Sequence, residues 1–582
     1  MNKLSLFVAV LTVAVAATVA MAGNLTISTN TVWSGTVTVD GTVTVNSNAN
    51  LTIQPGTIVN FVGAGTMSFN GAGTLSALGT PSSPIQFNGS QCGTLTGNLK
   101  GIALSNCVVS GMGSVAAKTL WMNLNPLSAG VSMSNCTVSN SGPMQTNGVG
   151  AASVTNCDLR DMATIYIMTS SSGSVTCSNN KIQGGQLRAH SASSTEVGNN
   201  VIINGTIWCD GAAPVNNVLV HDNYIHDTSA TAQYGLQSVV GQIYNNVIRG
   251  GTWTTGFCGG HMYNNVIESL TKAEGVTRGD STHEQVNDCA DGIVVERNII
   301  LNPSMGAFMT ASTYLAKNAV IRNNTFDMRG VVGTNSSGVM YFNHLAPTGP
   351  AANINVRNNL FLRTGRIGAE TDITNTLAYS DYNCWAGRNT DQYATGTSAR
   401  FVSISMTGKA EGDDGFGMHD VTLPTLAAGF NPASLVANAD FVDPYADADM
   451  LAGTHTTAQL LALYQQAFTP VAGSALINAG SPADASDPAV AYGQVDIGAI
   501  EVALLPGDAN MDRKVTFADY VILERNFGAT NATWAMGDFN GDGKVTFADY
   551  IMLETSFGKS VPEPMTLSLL AVGGLAMLKR RS

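Results

Sequence analysis

Over residues 33–87 apolar and polar positions alternate in short runs, first as Thr-Val pairs, then as LTIQPGTIVNF and GTLSALGT. A period of two bounded by Gly, Pro and Asn predicts short strands separated by tight turns. From residue 105 the pattern acquires a marker. Ser-Asn-Cys begins at 105 and 134 and Thr-Asn-Cys at 155; thereafter a polar pair ending in Asn precedes branched apolar residues. The second Asn falls at Asn180, Asn200, Asn223, Asn246, Asn265, Asn298, Asn324, Asn359 and Asn383. Most steps lie between 19 and 26 residues, with longer ones of 33 and 35, the spacing of a solenoid with occasional inserts.

The physics of such a repeat is simple. Asn tolerates left-handed backbone, so it turns the chain, and an Asn recurring in every coil stacks its amide on the next. The Val or Ile residues that follow are expected to alternate, one of each pair entering the tube. No coil buries its own apolar face alone, so only the stack is stable. The fold class expected is mainly β. The motifs from about residue 30 to 400 resemble the right-handed parallel β-helix superfamily of extracellular bacterial proteins, a fold that hosts lyases, hydrolases, epimerases and adhesins alike. After Asn383 the markers fade. Residues 401–505 hold an expected helix at 457–468 and end in SALINAG…VDIGAIE, which resembles the closing segment of such chains; this region reads as a cap of the β-helix at 23–400.

Composition sharpens the picture. Charged residues are 12% of 582, Gly supplies 62 positions, and the formal charge is −13. Helical bundles and coiled coils need more charge on their wet faces, and the acidic balance argues against nucleic acid as a partner. A charge-rich disordered chain is excluded by 44% hydrophobic content.

Both ends read as addresses. Lys3, an apolar run over 4–20 and Ala20-Met21-Ala22 form a secretory signal at 1–22, with signal peptidase cleavage expected before Gly23. Pro562-Glu563-Pro564, an apolar run at 567–578 and Lys579-Arg580-Arg581 follow in order at 561–582. The run is shorter than the ~20 residues of a full membrane helix. This order resembles the PEP-CTERM sorting signal of Gram-negative bacteria, which implies processing by an exosortase-type transpeptidase and a place at the cell surface, outer envelope or extracellular matrix, among exopolysaccharide.

The most specific chemistry lies before that tail. GDANMDRKVTFADYVILERNFG at 507–528 returns as GDFNGDGKVTFADYIMLETSFG at 537–558 with 15 of 22 positions identical. Asp508, Asn510, Asp512, Thr516 and Asp519, with the Lys514 carbonyl, place oxygens at alternating offsets; Asp538, Asn540, Asp542, Lys544, Thr546 and Asp549 repeat the set. Such oxygen sets suit Ca²⁺. The paired repeat at 506–560 resembles the dockerin type I module, which implies a small α-helical domain with two Ca²⁺ ions and a cohesin-type partner. Two departures stand out: Arg513 occupies the position that Gly543 fills in the second loop, and Phe517-Ala518 and Phe547-Ala548 replace Ser/Thr-type recognition residues.

The long step from Asn265 to Asn298 concentrates charge, with nine charged residues over 270–298. Such a concentration in a charge-poor chain fits either a functional site or a solvated loop that bulges from the stack. For β-elimination from a uronic-acid polymer, Lys272, Arg278 or His283 would be the base or neutraliser, with Glu284, Asp288 and Asp291 holding Ca²⁺. For glycoside hydrolysis, Asp280, Glu284, Asp288 and Asp291 are the candidate carboxylates. Trp208, Trp253 and Tyr263 offer sugar-stacking surfaces or core filling. His221-Asp222 and His226-Asp227 are expected at a solvated turn. Of nine cysteines, Cys107, Cys136 and Cys157 follow the marker at one offset, which predicts stacked buried thiols in preference to disulfides. Two functional readings stay open: an exported protein that engages polysaccharide and cleaves it as a lyase or glycoside hydrolase, or a non-catalytic adhesin or matrix protein.

Overall fold

The computed structural model describes residues 14–15, 19–21, 23–118, 120–148, 150–160, 165–169, 172–209, 215–227, 234–250, 253–256, 258–268, 291–301, 318–327, 340–342, 353–362, 367–369, 377–386, 421–423, 429–430, 445–471, 473–484, 495–502 and 505–560. Its architecture is mainly β, a parallel solenoid with few helices. The chain divides into two compact units: Met1–Asp227 with Gly235–Gln242, and Thr228–Tyr234 with Ile243–Ser582.

Unit 1 begins with the Thr-Val alternation. Thr36–Val39, Thr42–Val45 and Ile58–Phe61 each alternate half-buried and buried residues. Val37, Val39, Val43 and Val45 are sealed inside, while the threonines face outward. Successive coils stack in parallel and in register, as where Thr36 to Val39 lie beside Ile58 to Phe61. Within the stretch read as a leader, Ala14–Val15 pairs with Val32 and Trp33, and Val19–Met21 with Val37 to Val39. Apolar, β-branched residues satisfy a strand edge equally well whether or not they also serve as an address.

The markers divide labour differently from the expectation. The bend is made by the residue before the stacked position: Asn179, Asn199 and Asp222 in unit 1, and Asn245, Asn264, Arg297, Asn323, Asn358 and Tyr382 in unit 2, all with φ between 53° and 58°. Asn dominates because its side chain tolerates this region, but the stack also imposes it on Asp222, Arg297 and Tyr382. The second Asn is the buried ladder element. In unit 1 the Asn180 amide donates to Asn200 Oδ1 at 3.0 Å, and that of Asn200 to Asn223 Oδ1 at 2.9 Å. In unit 2 the ladder runs Asn246, Asn265, Asn298, Asn324, Asn359, Asn383 at 2.9 to 3.2 Å. Each acceptor oxygen also takes the backbone N–H of the preceding ladder Asn, so one side chain satisfies two buried donors.

The apolar pairs after the ladder differ as well. Val266–Glu268, Ile299–Leu301 and Leu360–Leu362 are buried at all three positions rather than at alternate ones. Part of the reason is a second layer in unit 2. Helix α1 (Asp447–Ala452) and helix α2 (Thr457–Ala467) follow the solenoid, and α2 packs beside Val247–Gly250. A reciprocal Thr456–Gln459 capping box starts α2, close to the expected start, and its buried Tyr464 reaches the Glu268 carboxylate at 3.3 Å. The segment that follows grips the bends of the coils: Asn323 donates to the Asp496 carbonyl, Thr325 accepts from the Ala499 N–H, and the Asn358 carbonyl accepts from the Gly498 N–H. The strand Cys384–Ala386 pairs in turn with Val421–Leu423.

Candidate functional site

Residues 505–560 fold as two copies of loop and helix, α3 (Phe517–Asn526) and α4 (Phe547–Ser556). The end of each copy pairs with the other: Gly558 N–H donates to the Val515 carbonyl, and Gly528 N–H to the Val545 carbonyl. Val515, Val545, Leu523, Leu553, Trp534 and Phe539 form the core, which Ile477 and Val502 join.

The two loops share most of their hydrogen bonds, the Phe539 N–H bond to Asp549 being one that the second loop adds. Asp508 accepts from the Asp512 and Arg513 N–H groups, and Asp538 from those of Asp542 and Gly543. Asp512 and Asp542 each accept from the N–H two residues on. Asp519 and Asp549 close reciprocal capping boxes with Thr516 and Thr546, and they also accept from the N–H of Asn510 and Asn540. Thr516 and Thr546 are therefore helix caps as well as loop oxygens. Arg513 adopts φ 68°, matching Gly543 at 78°, so the loop shape survives the missing glycine.

Does this arrangement fit a cation? Asp508, Asp519, Asp538 and Asp549 are almost fully buried. Burial first, and then the charges of Asp519 and Asp512, push the Asp508 carboxyl up to about 6 against the pull of the Arg513 N–H. Burial and Asp549 raise Asp538. Buried carboxylates clustered in this way are what a bound divalent ion neutralises. Among the described residues, no three His, Cys, Asp or Glu side chains form a ready-made metal cluster. The fit is instead to mixed carboxylate, amide, hydroxyl and carbonyl oxygens.

On the solenoid, Lys272, Arg278, Asp280, His283, Glu284 and Asp288 lie outside the described residues. Asp291 is exposed at the turn before Val294–Glu296. The structure instead brings Tyr263, already a stacking candidate, together with groups that no sequence motif marked. Two residues before each ladder Asn of unit 2 stand Tyr244, Tyr263, Glu296, Arg322, Arg357 and Asp381. From Tyr263 onward the coil register lines them up. Tyr244 and Tyr263 stack with centroids 5.1 Å apart, and His261 tilts onto Tyr263 at 4.4 Å. Glu296 pairs with His261 at 2.7 Å and Arg322 at 2.6 Å. Asp484 is gripped by Arg322, by two Arg357 nitrogens and by Asn358. Burial acts to raise Glu296, but the His261 hydrogen bond and the Arg322 and Arg297 charges outweigh it and hold the carboxyl down at about 2. Aligning the repeats on the ladder Asn would have exposed this column, whereas reading along the chain scatters it.

A second column lies in unit 1. Gln145 and Tyr166 are register partners, as are Tyr166 and Arg188, and Arg188 and Trp208; Trp208 then pairs with Gln237. The Arg188 guanidinium lies 4.2 Å from the Trp208 ring centroid. Trp208 therefore serves as a platform for a cation rather than offering a bare face to sugar. Beside it, Asn125 donates to Asn98 at 3.1 Å. The side chain of Trp253 is outside the described residues. The solvated turn expected at 221–227 is corrected too. Asp227 is fully buried, and His221, only 13% exposed, bonds Asp222 at 2.7 Å, because the ring lies over Gly198, where a Cβ would meet it at 2.6 Å.

Among the described residues no helix is long and apolar enough to cross a membrane. No curated protein matches the chain. Among solved structures, the chain is similar at 12% identity to a PL6 alginate lyase determined in complex with a trisaccharide, over 70% of this chain and 88% of that one. The TM-score is 0.19, a likeness that does not carry an activity from one chain to the other. Residues 506–557 match the dockerin type I domain, so the duplicated loops and their helices form the dockerin domain of this solenoid protein.

Proposed function

We propose that the protein is exported to the cell surface or extracellular matrix, engages polysaccharide along the Gln145–Gln237 column of unit 1, and carries a calcium-loaded dockerin domain. The observation that supports the first part is the column itself. Neighbouring coils lie about 4.8 Å apart, so each successive stretch of an extended polymer laid along the stack meets a new amide, guanidinium or ring edge. Arg188, steadied on Trp208, supplies a planar donor fork suited to the carboxylate of a uronic sugar. The flanking Gln145, Gln237, Asn98 and Asn125 suit hydroxyls.

In the dockerin domain, Ca²⁺ when bound supplies the positive charge that Asp508, Asp512 and Asp519, and their counterparts Asp538, Asp542 and Asp549, lack among themselves. Asn510 and Asn540, the Lys514 and Lys544 carbonyls, and Thr516 and Thr546 complete each set. The partner expected for such a domain is of cohesin type, with Phe517 and Phe547 replacing polar recognition residues at the start of each helix. Residues 561–582 would direct exosortase processing.

Affinity electrophoresis of the exported chain in gels containing acidic or neutral polysaccharides tests the reading. Retardation in an acidic polymer that is lost in Arg188→Ala with Trp208→Ala supports it. Unretarded migration in every polymer, or a variant that migrates like the parent, overturns it. Assaying the same mixtures for unsaturated uronate and for new reducing ends decides between cleavage and binding alone.

A further inference from the structure

Three thiols occupy the position that amides hold elsewhere in unit 1. The coil register places Val108 beside Thr137 and Thr137 beside Asp158, so the residues immediately before them, Cys107, Cys136 and Cys157, fall in one column. The Cys157 N–H donates to Asn180 Oδ1 at 3.0 Å, which makes the thiol column the direct continuation of the Asn ladder. All three side chains are 1% exposed. Each also points the same way, with Sγ 3.2 to 3.4 Å from the carbonyl two residues earlier in its own chain.

We propose that this column is a disulfide site in which Cys136 pairs with one of its two neighbours, Cys107 or Cys157, leaving the third thiol reduced. The three are free thiols in the structure, and the spacing of the coils puts the bond within reach. Adjacent parallel strands lie about 4.8 Å apart, inside the roughly 4.4–6.8 Å Cα window of a disulfide. Cys107 and Cys157 are two coils apart, about 9.6 Å, and fall outside it. The neighbouring thiols are close enough to hydrogen-bond: bonding to Cys136, followed by burial, pushes Cys107 and Cys157 up, and both flanking thiols donate to Cys136 and lower it. The register partners of Cys177 are Val154 and Val197, and those of Cys384 are Leu360 and Val421, so neither has a thiol on the adjoining coil.

The reaction needs an oxidant, and a small disulfide such as oxidised glutathione suffices. One cysteine thiolate attacks it, forming a mixed disulfide and expelling a glutathione thiolate. The neighbouring cysteine then attacks the protein-bound sulfur and expels the second. Two cysteine S–H bonds are lost, one S–S bond forms, and two glutathione thiols carry the protons away. Because the folded column is sealed, this exchange belongs to the stage at which the coils are closing, in the oxidising surroundings of an exported chain.

The test is to refold the reduced, denatured full chain in a buffer of oxidised and reduced glutathione. The product is alkylated under denaturing conditions and its peptides mapped by mass spectrometry. The expected result is a crosslink joining Cys136 to Cys107 or Cys157, with Cys107→Ser retaining the Cys136–Cys157 bond and Cys157→Ser the Cys107–Cys136 bond. Recovery of folded protein with all three cysteines alkylated overturns the proposal, as does a Cys107–Cys157 crosslink in the wild-type chain. If any single variant fails to fold, the wild-type map alone decides.

Discussion

The Asn265 amide donates to Asn298 Oδ1 at 2.9 Å, the same distance at which Asn246 donates to Asn265, although 33 residues rather than 19 separate the pair. The ladder bond is thus the same whether a short or a long stretch of chain separates its partners. Asn298→Ala removes the acceptor of the Asn265 N–H and the donor to the Met262 carbonyl, both buried. The expected loss is about 2–4 kcal/mol, read as a lowered urea midpoint. An unchanged midpoint would show that the ladder is only decorative.

The independence of ladder and insert gives a second prediction. Replacing residues 270–290 by a short Gly-Ser linker is expected to leave the far-ultraviolet spectrum and melting temperature of the solenoid essentially unchanged. If Lys272, His283 or Asp288 takes part in cleavage, any depolymerising activity disappears with the insert and with alanine at whichever of the three is involved. Activity that survives the deletion removes this segment from the catalytic account.

Calcium uptake by the full chain should saturate at two ions in a calorimetric titration after chelator treatment. Asp519→Ala and Asp549→Ala are each expected to remove one ion, and each also breaks a capping box at a cost of about 1 kcal/mol. Titration of the parent with no heat and no gain in helix rules the calcium assignment out.

Acid should weaken unit 2 through Glu296 and Asp484. Although burial works the other way, the His261 hydrogen bond with Arg322 and Arg297 holds Glu296 at about 2, against 4.5 ordinarily. Burial likewise opposes a lowered Asp484, but Arg357 and Arg322 prevail. A carboxyl depressed by folding contributes stability above its unfolded pKa and loses it as pH falls toward the folded one. The window is therefore from about pH 4.5 down to about 2. Urea midpoints measured across it should fall less steeply in Glu296→Gln than in the parent; parallel slopes would contradict the pairing.

Arg513 holds left-handed backbone where the sister loop has Gly543. Arg513→Gly is expected to raise the stability of the dockerin domain by about 1 kcal/mol, seen as a higher melting temperature. A lowered one would mean that the arginine side chain contributes more than its backbone costs.

Where chemistry repeats locally, the sequence was a good guide. The duplicated dockerin loops are legible because each ties its side chains to neighbours within a dozen residues. The ladder positions were legible because an Asn recurs before each branched apolar pair. Which member of each Asn pair bends and which stacks was not, because both tolerate the left-handed region and only the neighbouring coil distinguishes them. The double burial of Val266–Glu268 and Leu360–Leu362 was also missed. What covers the outer side of a strand can come from far along the chain, as α2 and the residues around Gly498 do.

By itself, then, the sequence determined a stacked, Asn-marked β-solenoid and a paired-loop helical domain, since a repeat shows its period and a duplicated short loop shows its pattern within a few residues. Only the tertiary structure decided which side chains meet across coils. The Glu296 and Asp484 ion pairs and the Arg188–Trp208 platform each join residues 20 to 162 positions apart. Their proximity comes from the parallel register and the closing of the chain on itself, which no local pattern records.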